Sequence, residues 1–415
     1  MPSIHLCLIS NNILPNLIPA LSDPDIKGVI TFSGDGHQNK QRRRLVDMLE
    51  AKHISQLKSF NANNSFDFAT LYTTALKLVS YLQAHYADHV WKINLTAGTK
   101  PMSLAVFQAL QGCPQAQFIY QDTQHKMIRT MDESTLPQAN ASVIDLPSYL
   151  LAHNFIMDHN AAEHPDDIEY MQQRRSLINE IFIRNIGRIW LLTTVLNFPA
   201  STAADIKKNT SLTQPLPNNK IKKDAVPLLE KLETFGLFQW DRQHQTIHFT
   251  NKESATFLAG GWLEEYAYWS AVEAGIEHIG LNVTGKWDQK VTGGEEGNTT
   301  NEFDLVLCHH NQLLVVECKA LAFNKDTNGQ DIVNKIEALG KNLGGLFGKS
   351  MLLASDKLTE DSKYTKHIVD RLTSYRIDLV QSSEMRQLSY QFKQWKLSCE
   401  PKKPQPVAVS EAQVA

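Results

Sequence analysis

Over its first 150 residues this chain alternates short apolar runs with amphipathic stretches, and that pattern constrains its fold more than any other feature. "IHLCLIS" is one apolar run, followed by a helical pattern from Leu14 to Leu21. "KGVITF" ends in the turn-rich "SGDG" and leads into the helical "QNKQRRRLVDMLEAKH". "FDFATLYTTALKLVSYLQAHY" reads as a long amphipathic helix, "VWKINLT" as a strand and "PMSLAVFQALQG" as a helix, with "AQFIYQD" and "KMIRTMD" forming a closing hairpin. Strands separated by helices return parallel, with helices covering both faces of the sheet. A doubly wound, Rossmann-like α/β domain over residues 1–150 is the prediction.

At 415 residues the chain is too long for one core, and its character changes twice more. Residues 151–255 are dominated by helical patterns such as "SLINEIFIRNIGRIWLLTTVL". Then "AVPLLEKLETFGL" leads into "FQWD", "RQHQ" and "TIHFT", a helix and a hairpin in the manner of a winged-helix module. The intervening "TSLTQPLPNNKIKK" reads as an exposed loop. A third region, 256–395, opens with a glycine pair and a helix, "AGGWLEEYAYWSAVEAGI", and continues through strands to about residue 320. Residues 396–415 are Pro-rich, small and polar, the composition of a disordered tail.

Composition excludes several classes. A net charge of −3 gives no bulk attraction to nucleic acid, so such binding must rest on local patches. The five cysteines, Cys7, Cys113, Cys308, Cys318 and Cys399, are odd in number and lack CxxC spacing, which points to free thiols in a reducing compartment. "MPSIHLCLISNN" has no basic n-region and too short an apolar run for a signal peptide. No run approaches the roughly twenty apolar residues of a membrane span. The expectation is a cytoplasmic protein with no membrane partner.

The chemistry concentrates in "NEFDLVLCHHNQLLVVECKA". Two apolar runs flank the polar "HHNQ", so a β-hairpin is the simplest reading. A turn centred between His310 and Asn311 pairs 308 with 313, 306 with 315 and 304 with 317. Asp304 then faces Glu317, Glu302 faces Lys319, and Asp304, Glu317 and Lys319 share one side of the sheet. Opposed carboxylates repel, which a structural sheet avoids. A divalent cation between them removes the penalty; Mg²⁺ or Mn²⁺ takes oxygen ligands and leaves positions for phosphate and water. With a lysine beside it to stabilise developing charge, this is the chemistry of a metal-dependent nuclease. A further carboxylate stands in "GGWLEEYAYW". A packed face of Leu263, Tyr266, Ala267 and Ser270 puts Glu264 beside the site, whereas one of Trp262, Tyr266 and Trp269 puts Glu265 there. A zinc site from Cys308, His309, His310 and Cys318 is disfavoured, because adjacent strand residues point to opposite faces.

In the first domain "NLTAGTKPMS" joins a strand to a helix. Gly98 permits a tight turn, Thr99 is a candidate N-cap and Pro101 suits the first helical turn. The amides at that helix start, with Lys100 beside them, can receive an anion. "LISNN" and "FSGDG" end on the same rim, where ligands of doubly wound sheets bind. The loop is neither a Walker A nor GxGxxG, which disfavours ATP hydrolysis and dinucleotide binding.

In combination these features resemble a known family. The Rossmann-like domain with "NLTAGTKPMS" resembles the CARF sensor domains of type III CRISPR systems. "GGWLEEY", Asp304 and "VVECKA" resemble the PD-(D/E)xK, restriction-endonuclease-like nuclease fold, and "NKIEALGKNLGGLFGKSMLLAS" also looks like the ancillary nucleases that fuse the two domains. The resemblance covers nearly the whole chain except the tail. It implies a homodimer that binds a cyclic oligoadenylate, the tetra-adenylate first, and then cuts single-stranded DNA or RNA with Mn²⁺ or Mg²⁺. It implies Asp304, Glu317 and Lys319 as the catalytic core, with Glu264 as the helix carboxylate and Asp304, Glu317 and Glu264 as metal ligands. Thr96, Gly98, Thr99, Lys100 and Met102 match the ligand-binding loop, with Ser10 and Asn11 on the first-strand loop.

Two other readings compete. In one, the chain is a CARF-type transcriptional regulator whose winged-helix-like segment reads DNA, with "KIKK" (220–223) and "QRRR" (41–44) as phosphate contacts. In the other, it is a restriction-type nuclease without a sensor.

Overall fold

The computed structural model describes residues 1–131, 138–205, 210–217, 221–288, 300–321, 329–343, 347–358 and 365–401. Lys220 of "KIKK", the Gly344–Gly345 pair and residues 402–415 of the tail lie outside the described residues. The chain divides into two compact units, Met1–His153 and Asn154–Leu397.

The first unit is built as the alternation of its sequence demands. Its elements are β1 (Ser3–Leu8), α1 (Leu14–Leu21), β2 (Ile26–Ser33), α2 (Asn39–Glu50), β3 (Gln56–Asn61) and α3 (Phe68–His85). They continue with β4 (Val90–Asn94), α4 (Lys100–Leu110), β5 (Ala116–Asp122), β6 (Met127–Thr130), β7 (Gln138–Ala139) and α5 (Leu146–Ala152). The sheet order is β3-β2-β1-β4-β5-β6-β7. β3 through β5 run parallel, and β6 and β7 close the edge antiparallel. The chain winds outward from β1 through β2 to β3, then crosses back to β4 on the other side, so the strand order reverses between β1 and β4. A core of Leu6, Phe32, Trp91 and Ile93 from the sheet and Leu71, Leu78, Met102 and Val106 from α3 and α4 is wholly buried. The water-excluded side of those helices is what ties them to the strands.

The second unit takes in both the middle and the third regions of the sequence. Its elements are β8 (Phe155–His159), α6 (Pro165–Leu177), α7 (Trp190–Ala204), β9 (Thr213–Pro215), α8 (Val226–Thr234), β10 (Phe238–Asp241), β11 (Thr246–Phe249) and α9 (Lys252–Thr256). There follow α10 (Trp262–Ala274), β12 (His278–Trp287), β13 (Thr300–His309), β14 (Gln312–Lys319), α11 (Gly329–Leu343), β15 (Gly348–Ala354), α12 (Lys366–Ser374), β16 (Asp378–Val380) and α13 (Leu388–Cys399). The main sheet has the order β16-β15-β14-β13-β12-β8. Its β14, β15 and β16 are parallel and the remainder antiparallel.

Two sequence expectations need correction here, and a third holds: the middle segment is largely helical, and it packs within the second unit. β8 pairs with β12 as an edge strand of the nuclease sheet, and Phe182 stacks on Trp262 at 4.6 Å between ring centroids. "TSLTQPLPNNKIKK" is not all loop, because Thr213–Pro215 forms β9 against β11 and completes a three-stranded sheet β10-β11-β9. Pro215 ends that edge strand, the one place a sheet tolerates a missing N–H. The tail does not start at 396, since α13 runs to Cys399 with Phe392 and Trp395 buried.

Candidate functional site

From Leu305–Val316 to His309–Gln312 the hairpin has the register the sequence predicts; the ladder stops short of the expected pairs 304–317 and 302–319. Cys308 pairs with Leu313, Val306 with Val315 and Leu305 with Val316. The turn is two residues long, His310 at φ 49° and Asn311 at φ 62°, the paired positive φ of a type I′ connection. Asn tolerates that region readily, and the Glu277 carboxylate accepts the His310 backbone N–H at 2.9 Å. Local turn chemistry therefore decides which residues face one another at the far end of the strands.

At that end Asp304, Glu317 and Lys319 meet. Lys319 Nζ lies 2.6 Å from Glu317 Oε1 and 3.6 Å from Asp304 Oδ2. Asp304 Oδ2 also accepts the Cys318 backbone N–H at 2.7 Å. Glu317 is only 2% exposed, and its Oε1 accepts a second ammonium, Lys335 from α11, at 2.8 Å. Lys335 escaped the sequence reading. No local pattern marks it, because its role depends on how α11 is laid across the sheet. A buried carboxylate holding two lysines is a concentrated charge cluster, and its members perturb one another accordingly. Burial works against the Lys319 ammonium, but Asp304 and Glu317 outweigh it and hold its pKa at about 12. Burial and the Glu317 charge raise the Asp304 carboxyl above its ordinary value.

The two glutamates of α10 have different environments. Burial, followed by the charges of Asp304 and Glu302, pushes Glu264 up to about 8, so Glu264 is the one that shares the field of the hairpin carboxylates. Glu265 is 6% exposed and is bound instead by Arg174 of α6 through two guanidinium N–H groups, Nη2 to Oε1 and Nε to Oε2. Periodicity could not separate the pair because α10 is buried nearly all round, with Trp262, Leu263, Ala267, Tyr268, Trp269 and Ala271 all inside.

Among the described residues no three His, Cys, Asp or Glu side chains converge closely enough to hold a metal ion. Glu317 is instead engaged by lysines. The zinc alternative finds no gathered ligand set among those residues either; His309 Nδ1 lies 3.4 Å from Glu277.

In the first unit the loops after β1 and β4 flank the reversal of strand order, where doubly wound sheets take ligands. Gly98 has φ +86°, and a Cβ there would sit 2.9 Å from Leu8 Cβ, so only glycine lets the β4 loop approach β1 this closely. Thr99 caps α4: its Oγ1 accepts the Met102 N–H at 3.4 Å and donates to the Ser65 carbonyl at 2.8 Å. Ser65, also missed from sequence, donates to Asp35 at 2.5 Å and so ties the "FSGDG" loop to the same rim. Thr96 Oγ1 accepts the Gln121 N–H at 2.7 Å, and Ser10 Oγ donates to the Asn12 carbonyl at 3.0 Å. Asn11 and Lys100 are exposed on the rim. The Met102 side chain is not on the rim; it is wholly buried in the core, three residues past the cap on the inner face of α4.

A family model for the Card1 CARF domain matches residues 4–149, and one for the Card1-like endonuclease domain matches residues 251–399. The chain belongs to the Card1-like CARF nucleases. The endonuclease match spans Glu264, Asp304, Glu317 and Lys319, and the CARF match spans the switch-point loops. Two solved structures share the fold. Protein VC1899 from Vibrio cholerae superposes with a TM-score of 0.81 at 20% identity, covering 96% of this chain and 99% of its own. Can2 from Sulfobacillus thermosulfidooxidans, in complex with cyclic tetra-adenylate, superposes with a TM-score of 0.71 at 21% identity, covering 95% of this chain and 97% of its own. No curated protein is significantly similar in sequence.

Proposed function

We propose that this chain is an endonuclease of type III CRISPR defence, switched on by a cyclic oligoadenylate. In this reading it is a cytoplasmic homodimer that cuts single-stranded DNA or RNA with Mn²⁺ or Mg²⁺. The observation that carries the reading is the presence, in one chain, of a CARF domain with a glycine-dependent switch-point loop and an endonuclease domain with a charged Asp304–Glu317–Lys319 cluster. The likeness to Can2, whose structure holds cyclic tetra-adenylate, makes the tetra-adenylate the first activator to test. A cyclic ligand with twofold symmetry suits an isologous dimer that presents Ser10, Asn11, Thr96, Gly98, Thr99 and Lys100 twice about one axis. Met102 serves that loop from the core, by packing α4 in place. The ligand activates only to the extent that it binds one dimer arrangement better than another.

The nuclease residues fit a hard divalent cation. Asp304, Glu317 and Glu264 offer only oxygen, and burial first, then neighbouring carboxylates, raises the pKa values of Asp304 and Glu264, a cost that a bound cation relieves. Asp304 and Glu317 would hold the ion, and Glu264, which does not converge closely with them in this structure, would close on it as the third carboxylate in the manner of a PD-(D/E)xK site. When bound, the ion neutralises charge on the phosphodiester and lowers the pKa of water in the site. Lys319, 2.6 Å from Glu317 and 3.6 Å from Asp304, is placed to stabilise negative charge that develops beside the ion. Lys335 holds the buried Glu317 carboxylate in orientation.

The test is cleavage of single-stranded DNA and RNA by the full chain with Mn²⁺, across cyclic tri-, tetra- and hexa-adenylate. Equal rates with and without every activator would remove the gating, and a Lys319→Ala variant that cuts as well as wild type would remove the site. One observation favours a second reading. α8 with the sheet β10-β11-β9 has the elements of a winged helix, so a DNA-binding regulator is the alternative. A regulator would bind duplex DNA unchanged after Lys319→Ala.

A further inference from the structure

We infer that a pocket beside the nuclease cluster, between the start of α7 and the ends of β15 and β16, is a subsite for single-stranded nucleic acid. Trp190 stacks a base there, while Lys357, Arg386 and the Ser355 hydroxyl take a backbone phosphate. The inference rests on the nuclease reading and names residues that reading does not use.

Position comes first. The pocket, about 480 Å³, is lined by Trp190, Ser355, Asp356, Lys357 and Arg386 with neighbouring residues. Lys319 pairs with Ala354 in the β14–β15 ladder, and the next residue, Ser355, donates its backbone N–H to the Lys319 carbonyl at 3.0 Å. The pocket therefore opens on the same rim of the sheet as the catalytic lysine. α7 is fixed to that rim as well, since Asn197 Nδ2 donates to the carbonyl of Ala320 at 2.5 Å, one residue past Lys319.

The chemistry of the lining points to a ligand. Ser355 is 2% exposed, yet its Oγ has no hydrogen-bond partner. A buried hydroxyl left unpaired costs roughly 1–3 kcal/mol, and native structures seldom leave one without a reason. Arg386 is held by the carbonyls of Arg184 at 2.9 Å and Ile183 at 3.4 Å, which fixes the guanidinium without neutralising it. Among the described residues neither Arg386 nor Lys357 pairs with a carboxylate side chain. Asp356 is the acid in the lining, and its Oδ1 accepts the Lys357 backbone N–H at 2.8 Å. Two cations against one anion leave the pocket positive.

Trp190 is 39% exposed at the start of α7, and the Lys222 ammonium lies 4.3 Å from its ring centroid, adding positive charge at the mouth. Phe198, two turns further along the helix and about 12 Å away at 1.5 Å per residue, is 80% exposed. Exposed aromatics beside uncompensated cations are how proteins hold single strands without reading sequence: bases stack and phosphates are neutralised. A duplex keeps its bases stacked internally and cannot use Trp190 in this way.

The experiment measures binding of a labelled single-stranded oligonucleotide to the full chain, with cyclic tetra-adenylate present and EDTA to prevent cleavage, across a salt series. Trp190→Ala should weaken binding by about 5- to 150-fold, the range for losing one stacked base. Trp190→Phe should keep most of the affinity, which separates stacking from a folding defect. The pair Lys357→Gln with Arg386→Gln should reduce the slope of log affinity against log salt by about 0.7, the value for one neutralised phosphate on a single strand. Affinities within twofold of wild type and an unchanged slope, in a protein that still cleaves when metal is added, would overturn the subsite alone. A wild-type protein that neither binds nor cleaves single strands would overturn the nuclease reading and the subsite together.

Discussion

Replacing Lys319 with Met removes the ammonium 2.6 Å from Glu317 Oε1 and 3.6 Å from Asp304 Oδ2, but leaves Lys335 at 2.8 Å from the same glutamate oxygen. Chemistry and stability should therefore separate. Loss of a preorganised positive charge at a reacting phosphate lowers the rate about 10²–10³-fold, or about 2.7–4 kcal/mol of transition-state stabilisation. Folding should suffer much less, because a buried carboxylate becomes very costly only when no partner remains. Breaking such a pair outright costs about 3–5 kcal/mol. That cost should appear only in the Lys319→Met, Lys335→Met double variant. Lys335 is 40% exposed and among the described residues pairs with Glu317, so Lys335→Met by itself should change the rate less than about tenfold. It should also lower the Mn²⁺ concentration needed for half-maximal cleavage, since one ammonium no longer competes for Glu317. The assay is single-turnover cleavage at saturating metal and activator, beside urea unfolding of the same proteins. If Lys319→Met alone costs more than about 3 kcal/mol of stability and less than tenfold in rate, Lys319 is a structural counter-ion and the catalytic assignment fails.

Other expectations follow from the same geometry. Arg174→Met leaves Glu265 buried without its guanidinium and should cost about 3–5 kcal/mol, seen as a lowered Tm; adding Glu265→Gln should recover most of it, and no recovery would refute the pairing. Gly98→Ala combines a positive φ with a Cβ 2.9 Å from Leu8 Cβ. It should cost about 2–4 kcal/mol in urea unfolding; Gly112→Ala, with no atom within 4 Å of its Cβ, should stay within about 0.5 kcal/mol. His5 is buried beside Ser3, Asp23 and Lys92, and burial lowers its pKa below 6.5 despite the Asp23 carboxylate. Between that lowered value and 6.5 the unfolded chain binds a proton that the folded domain refuses. Stability should therefore fall as pH drops below 6.5, by up to about 1.4 kcal/mol per pH unit. His5→Gln should flatten that slope, measured by urea unfolding between neutral and mildly acidic pH.

What the sequence revealed, and what it withheld, follows the range of the interactions involved. The hairpin was legible because its register is set by two residues, His310 and Asn311, and by the apolar runs beside them. The cap of α4 was legible for the same reason, since Thr99 and Met102 are one turn apart. Strands β8 and β9 were not, being five and three residues long with no alternation to read, and existing only because β12 and β11 offer them an edge. Met102 matched a ligand loop by position, yet the inward face of α4 buries its side chain.

The adjacent glutamates of α10 show the limit most clearly. Neighbours on a helix point roughly 100° apart, so only one of Glu264 and Glu265 can face the hairpin. Either apolar arc in "WLEEYAYW" is long enough to be the buried one, and in the folded protein both are buried except for the half-buried Tyr266 they share. The choice is made by Arg174, 91 residues earlier in the chain, whose guanidinium lies 3.7 Å from the Tyr170 ring centroid and takes up the Glu265 carboxylate. That leaves Glu264 facing Asp304, where burial and like charge raise its pKa to about 8. An ion pair in the middle segment thus decides which carboxylate the nuclease cluster receives. The largely helical middle segment therefore supports the nuclease cluster, and Arg174→Met should disturb that cluster through Glu265 as well as the stability of the fold.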